Sequence, residues 1–398
     1  MTTLHILLAS GENLPNLIPA IAPIQNDASF KAGAVLILTS AAMRTRAQIL
    51  KYGLEATGLK NVSIYPEDCP DHGLVEITNW AEVRAKEIAA NYYDDRRILN
   101  LTGGNKLMTI AFLEAFQNRG FEIVYCDTEH HHIEYIRPLE RRAPVLPVNI
   151  LKLPVYLAAQ GYQLREEHPD VTGIQAREAL TRKLVADAPG AERLIRALNQ
   201  AFFEYNDKNN LSASVQTERL NAKEKELLQT IRESGLIKPS GFQNEAAAGY
   251  LGGGWLEEWC WIIGKELEQG EPGKRLQDDR WGINLKIDPA GQAIIPGRNQ
   301  YSLNELDAVF VHRNRMLLIE CKTGAQISEA GKGQNILNKL ETLGKHVSGR
   351  LDTKWLLTAR RIDRNSQVLK RAEGYQIRII APEDLIHLKE EIQKWMTR

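Results

Sequence analysis

The sequence predicts an α/β protein with a parallel sheet in its amino-terminal part and a mixed sheet in its carboxyl-terminal part. Three observations carry this: short apolar runs alternating with amphipathic segments from Leu4 to Tyr125, a two-strand hairpin from Ala308 to Ile319, and glycine-rich turns leading into helices. A chain of 398 residues has material for two or three domains with cores of their own.

Leu4–Ala9, Ala34–Thr39, Val62–Tyr65, Ile98–Leu101 and Phe121–Tyr125 are apolar runs of strand length. Between them, apolar spacing fits helices near Leu14–Ile24, Arg44–Thr57, Leu74–Tyr92 and Lys106–Asn118. This βαβα order implies a parallel sheet covered on both faces, with ligands bound beyond the carboxyl ends of its strands. Two strand ends carry suitable chemistry. The first strand is followed by Ser10-Gly11-Glu12-Asn13, and the fourth by Thr102-Gly103-Gly104-Asn105-Lys106-Leu107-Met108. In the second loop, paired glycines let backbone approach a ligand, the next helix offers unpaired N–H groups to an anion, and Lys106 adds a charge. A phosphate-bearing ligand is expected. There is no Walker loop and no G-x-G-x-x-G after the first strand, which argues against ATP hydrolysis and a dinucleotide cofactor. The turn Ser40–Arg44 is a third candidate by position alone. Cys126–Ile136 reads as an edge strand or hairpin. Its His130, His131 and His132 cannot all converge on one ion, because neighbours on a strand face opposite ways.

Prolines from Pro138 to Pro154 mark a boundary, giving expected domains at 1–142 and 241–398 with a mostly helical connector at 143–240. The connector reads as an extended piece from Val155, helices around Ile174–Val185 and Ala191–Tyr205, the polar Asn206–Ser214, and a helix at Ala222–Ser234. That last helix, followed by Gly235-Leu236-Ile237, fits either the start of a small winged-helix-like unit or a spacer that transmits motion.

Beyond it, Gly252-Gly253-Gly254 runs into a helix on which Trp255, Leu256, Trp259, Ile262 and Ile263 recur at helical spacing. The hairpin follows, with a polar turn at His312–Arg315. Asp307 opens its first strand and Glu320-Cys321-Lys322 ends its second, so two acids and a lysine share one end. Hard divalent ions such as Mn²⁺ or Mg²⁺ prefer oxygen, which Asp307, Glu320 and the Cys321 carbonyl can supply. Lys322 faces the same way as Glu320 and can orient a water or stabilise a phosphorane. A helix at Gly331–Gly344 carries Gln334, Asn335 and Lys339, strands are expected at Lys354–Thr358 and Gln376–Ile380, and a helix at Asp384–Trp395 closes the chain.

Bulk charge identifies no partner: Lys+Arg and Asp+Glu are both 50, and from Gly241 onward there are 23 basic and 21 acidic residues. Nucleic-acid contact would rest on local patches such as Arg360-Arg361-Ile362-Asp363-Arg364 and Lys370-Arg371. Cys69, Cys126, Cys260 and Cys321 form no C-x-x-C pair, which argues against structural zinc and a disulfide framework. No signal peptide or membrane span is expected, and the chain is read as cytoplasmic.

Two resemblances follow from these residues. Asp307, Glu320 and Lys322 resemble the D-x(n)-E-x-K core of restriction-endonuclease-like (PD-(D/E)xK) nucleases. Asn100–Met108, with Ser10–Asn13 on the first strand, resembles the Rossmann-like CARF domain that senses cyclic oligoadenylate. Together the chain resembles the CARF-plus-nuclease effectors of type III CRISPR systems. The resemblance implies cyclic tetra-adenylate bound by Ser10, Gly11, Glu12, Asn13, Thr102, Gly103, Gly104, Asn105, Lys106 and Met108. It also implies a helical glutamate, Glu257 or its neighbour Glu258, supporting the metal held by Asp307, Glu320 and Cys321. Implied substrates are supercoiled DNA, single-stranded DNA and RNA. A homodimer is implied too, since an isologous pair offers one loop twice to a two-fold ring. Asn105 departs from the second hydroxyl residue common in such loops. The alternatives are a sensor that binds DNA without cutting it and a ring nuclease that degrades its own activator.

Overall fold

The structure, a computed structural model, describes residues 2–128, 130–165, 169–208, 215–270, 275–290, 304–328, 330–349, 352–363 and 366–397. The chain divides into two compact units, the first holding Met1–Leu164, Ile287–Leu303 and Val347–Arg350 and the second Arg165–Lys286, Asn304–His346 and Leu351–Arg398.

In the first unit the expected alternation is present: β1 (Thr3–Leu8), α1 (Leu14–Ile21), β2 (Ala34–Leu38), α2 (Arg44–Ala56), β3 (Val62–Ile64), α3 (Leu74–Asn91), β4 (Arg96–Asn100), α4 (Lys106–Phe116) and β5 (Glu122–Asp127). An antiparallel edge strand, β6 (His132–Arg137), completes the order β3-β2-β1-β4-β5-β6, the other pairings being parallel. The strands are near-continuous apolar runs because helices cover both sheet faces. Leu4, Ile6, Leu8 and Leu99 pack with Ala111, Phe112 and Phe116. Chain order reverses between β1 and β4, and a crevice opens beyond their carboxyl ends at such a point.

One expectation fails after this sheet. Val155, read as extended, lies in a helix, α5 (Leu153–Ala159), whose first turn contains Pro154. Proline is tolerated there because the first N–H groups of a helix have no partner within it. A short β7 (Tyr162–Leu164) then pairs with residues 287–289.

The second unit begins with α6 (Val171–Asp187), α7 (Glu192–Lys208) and α8 (Ala222–Glu233), near the expected positions. A hairpin of β8 (Ile237–Lys238) and β9 (Gly241–Phe242) and a short α9 (Glu245–Gly249) lead to α10 (Trp255–Glu268). The strands β10 (Trp281–Pro289), β11 (Asn304–His312) and β12 (Arg315–Lys322) precede α11 (Ala330–Val347), β13 (Asp352–Thr358), α12 (Gln367–Gly374), β14 (Ile377–Ile380) and α13 (Leu388–Thr397). The sheet order β14-β13-β12-β11-β10 is mixed: β11 and β12 are antiparallel, while β12, β13 and β14 run parallel. Strand β10 and helix α12 add to the elements expected from sequence. The hairpin turn falls on Arg313 and Asn314, both with positive φ (51° and 58°), the sense that matches strand twist. Trp255, Leu256, Trp259 and Ile263 of α10 pack with Phe310, Leu317 and Trp355 in one core. Leu227, Leu228 and Ile231 of α8 also belong to that core, so its apolar face is covered. Arg364 and residues 209–214 of the polar connector stretch lie outside the described residues. Among the described residues, no helix is long and apolar enough to cross a membrane.

Candidate functional site

In the second unit β11 and β12 bring Asp307, Glu320 and Lys322 together. Period-two alternation puts Glu320 and Lys322 on one face, while Cys321 turns inward, its Sγ 4.0 Å from that of Cys260 on α10. Asp307 Oδ2 accepts from the Cys321 backbone N–H (2.7 Å) and from Lys322 Nζ (3.1 Å). Lys322 Nζ also lies 2.7 Å from Glu320 Oε1 and donates to the Cys321 carbonyl at 2.9 Å. Three hard oxygens therefore converge on one cation. Asp307 is 8 % exposed and Glu320 3 %.

Burial is the main cause of the raised carboxyls at the site. It pushes the Glu320 carboxyl up, helped by the Asp307 charge and opposed by Lys322 and Lys339 of α11. Glu257 is pushed up to about 7, by burial first and then by Asp307, against Lys322. Lys322 stays firmly protonated, because Asp307 and Glu320 outweigh its own desolvation.

The two helical glutamates separate. Both line the cleft that also holds Lys322, Thr323 and Asn284, but it is Glu257 that interacts with the charges of Asp307 and Lys322. Glu258, one residue on and about 100° round the helix, accepts from Arg177 Nε at 3.1 Å and faces Thr181 and Tyr250. Thr323 follows Lys322, and its Oγ1 lies 3.0 Å from Asn199 Oδ1 and 3.1 Å from the Gly252 carbonyl. Asn199 and Thr323 were missed from sequence, since α7 carries no motif and Thr323 lies one residue beyond the E-x-K pattern. Gly253 has φ of +154°, which accounts for a glycine where this turn enters α10.

The donor set suits a hard ion. Among the described residues no three His, Cys, Asp or Glu side chains converge by themselves into an ion-holding group. The oxygens of Asp307, Glu320 and the Cys321 carbonyl nonetheless already surround a cation, the Lys322 ammonium. Mn²⁺ and Mg²⁺ favour such oxygen ligands.

In the first unit, the loops after β1 and β4 are joined by buried amides. Asn100 Nδ2 donates to the Pro15 carbonyl (3.2 Å) and to Asn16 Oδ1 (3.4 Å), and Asn16 Nδ2 donates to the Leu8 carbonyl (2.8 Å). Sequence reading missed Asn16, because its role rests on contacts with Leu8 and the distant Asn100. Thr102 Oγ1 accepts from the Cys126 N–H at 2.7 Å. Gly103 is packed so closely that an added Cβ would lie 1.8 Å from the Leu8 carbonyl oxygen, and Gly104 has φ of +75°. Asn105 caps α4, its Oδ1 accepting from Met108 N (2.9 Å) while its Nδ2 donates to the Asp71 carbonyl (2.9 Å). Ser10 Oγ donates to the Glu12 carbonyl at 2.9 Å. Gly11 and Lys106 are exposed and Glu12 is half-buried. Asn13 and Met108 do not join them at the surface: both are buried, and Asn13 Nδ2 donates to the Ala159 carbonyl of α5. In the third candidate turn, Arg44 pairs with Asp68 and Ser40 is buried.

Comparison with known proteins bears on both units. Residues 4–152 match the Card1 CARF domain model and residues 244–398 the Card1-like endonuclease domain model. No curated protein sequence matches the chain. Among solved structures, protein VC1899 from Vibrio cholerae is 18 % identical, with TM-score 0.81 and coverage of 99 % of this chain and 98 % of its own. Can2 from Sulfobacillus thermosulfidooxidans, solved in complex with cyclic tetra-adenylate, is 20 % identical, with TM-score 0.75 and 99 % coverage of both chains. A type III CRISPR defence DNA nuclease activated by cyclic oligoadenylate is 16 % identical, with TM-score 0.50 over 90 % of this chain and 45 % of that one. At such identity these likenesses speak to fold, whereas the two domain models each match one unit's characteristic segment. The chain belongs to the family that joins a Card1 CARF domain to a Card1-like endonuclease domain.

Proposed function

We propose that the protein is a metal-dependent nuclease of type III CRISPR defence, acting as a homodimer and activated by cyclic tetra-adenylate, that nicks supercoiled DNA and cuts single strands. The observation that carries the nuclease reading is the convergence of Asp307 Oδ2, Glu320 Oε1 and the Cys321 carbonyl on Lys322 Nζ. Asp307, Glu320 and the Cys321 carbonyl would hold Mn²⁺ or Mg²⁺, which lowers the pKa of a bound water and neutralises phosphate charge. Lys322, released from its carboxylates, donates to the non-bridging phosphate oxygens and stabilises the phosphorane. Glu257, with a carboxyl near neutrality, accepts a proton from the attacking water. In the first unit the exposed Lys106 and the N–H groups at the start of α4 meet the ring's phosphates, and Gly103 keeps the loop close to β1.

The ring shifts the protein toward the active arrangement only by its differential affinity for it. The test is cleavage of supercoiled plasmid and of labelled single-stranded DNA and RNA with Mn²⁺, with and without cyclic tetra-adenylate, alongside Glu320→Ala and Lys106→Ala proteins. Ring-dependent cutting, lost in both variants, is expected. A protein that binds the ring and cuts nothing would be a regulator instead, and loss of the ring itself would identify a ring nuclease.

A further inference from the structure

The exposed face of α7 takes no part in the chemistry above. Arg196, Gln200, Phe203 and Asn206 succeed one another at helical spacing, and all are exposed, Phe203 by 63 %. The opposite face, with Leu194, Leu198, Ala201 and Tyr205, is core. Phe202 marks the contrast with its neighbour: it stacks on Tyr205 with centroids 6.5 Å apart and fills the space beside Gly252.

This helix is fixed to the site. Asn199 joins Thr323, the residue after Lys322, at 3.0 Å. At the helix start, buried Glu224 of α8 accepts from the backbone N–H of Arg193 (2.9 Å) and of Leu194 (3.3 Å). Arg196, Gln200 and Phe203 thereby form one side of a cleft of about 860 Å³ that also contains Glu257 and Lys322.

A phenyl ring exposed in a cleft that carries the cations Arg196 and Lys322 as well as the carboxylates Asp170, Glu257 and Glu258 suits a ligand with π-faces whose phosphates meet those cations. Every base has a stackable face, so an aromatic beside a basic groove holds strands without sequence preference. In a duplex those faces are already covered by neighbouring bases. We propose that Phe203, with Arg196 beside it, is a stacking platform that seats an unpaired base of single-stranded nucleic acid next to the phosphodiester presented to Lys322. This rests on the nuclease reading, and it adds a reason for choosing single strands.

The test measures binding rather than cutting, by fluorescence anisotropy of labelled oligo-dT and oligo-rU on the full chain in EDTA with cyclic tetra-adenylate. Phe203→Ala is expected to weaken binding about 10-fold, the scale of one lost base stack. Phe203→Trp restores it, and strands made abasic bind wild type and Phe203→Ala alike. Unchanged affinity in Phe203→Ala overturns the platform. So does an equal loss on abasic strands, or wild-type protein that binds no strand at all. A protein that binds strands through Phe203 yet cuts nothing would sink the nuclease reading and leave the platform standing.

Discussion

Adjacent residues of one helix have different fates here. Glu257 and Glu258 have the same chemistry, yet one interacts with Asp307 and Lys322 and the other pairs with Arg177. Glu257→Gln is therefore expected to cut the cleavage rate at least 100-fold, the scale of a lost acid–base group, while the fold persists. Glu258→Ala instead leaves Arg177 without its carboxylate and should cost about 3 kcal/mol in urea unfolding. The raised Glu257 carboxyl, at about 7, also sets a pH dependence. Below that value the group is protonated and cannot accept a proton, so activity should rise from about pH 6 to 8. The stability sign is opposite. A carboxyl whose folded pKa is raised gives stability that is present below its unfolded value and lost as pH rises through about 7, so metal-free Glu257→Gln should melt higher than wild type at about pH 8. A lower melting temperature would contradict this assignment. The sequence could not separate the two acids, because their difference comes from packing against α6.

Loops and hairpins differ in how far local sequence dictates them. The β11–β12 hairpin was legible because two short apolar runs and the polar turn His312–Arg315 between them all act over a few residues. Strand β10 was missed, although Trp281, Ile283, Leu285 and Ile287 alternate with Gly282, Asn284 and Lys286 as a half-buried strand does. The loop after β4 was recognised by its glycines, but the reason for Gly103 is tertiary. An added Cβ there would meet the Leu8 carbonyl at 1.8 Å. Gly103→Ala is expected to push β4's loop from β1, costing about 1–3 kcal/mol and weakening cyclic tetra-adenylate binding in calorimetry. Full affinity would mean that the crevice beyond β1 and β4 is not where the ring sits. Asn105, a departure from the usual hydroxyl, keeps its place as the cap of α4.

At the scale of the whole molecule, each unit buries a neutral histidine. His5 in the first is fully buried, its Nε2 2.6 Å from the Phe30 carbonyl, and His312 in the second is nearly so. Burial lowers both to about 4, with Arg280, Arg313 and Arg315 adding to the effect at His312. The unfolded chain takes up protons near the ordinary 6.5, before the folded one does. Stability is thus complete above about 6.5 and lost as pH falls toward 4, by up to about 3 kcal/mol for each histidine. Urea midpoints at about pH 7.5 and 5 should differ in this sense. His5→Gln should reduce the difference, and an unchanged pH slope would count against the assignment.

Sequence alone determined the order of elements from β1 to β6, the hairpin with its acids and lysine, and the two glycine loops, because each depends on spacing along a few turns or strands. Only the tertiary structure decided that Glu257 rather than Glu258 interacts with Asp307 and Lys322, that Asn16 and Asn199 support the two sites, and that Phe203 stands exposed beside one of them. Those outcomes depend on which residues distant in sequence meet, and pattern along the chain carries no record of such meetings.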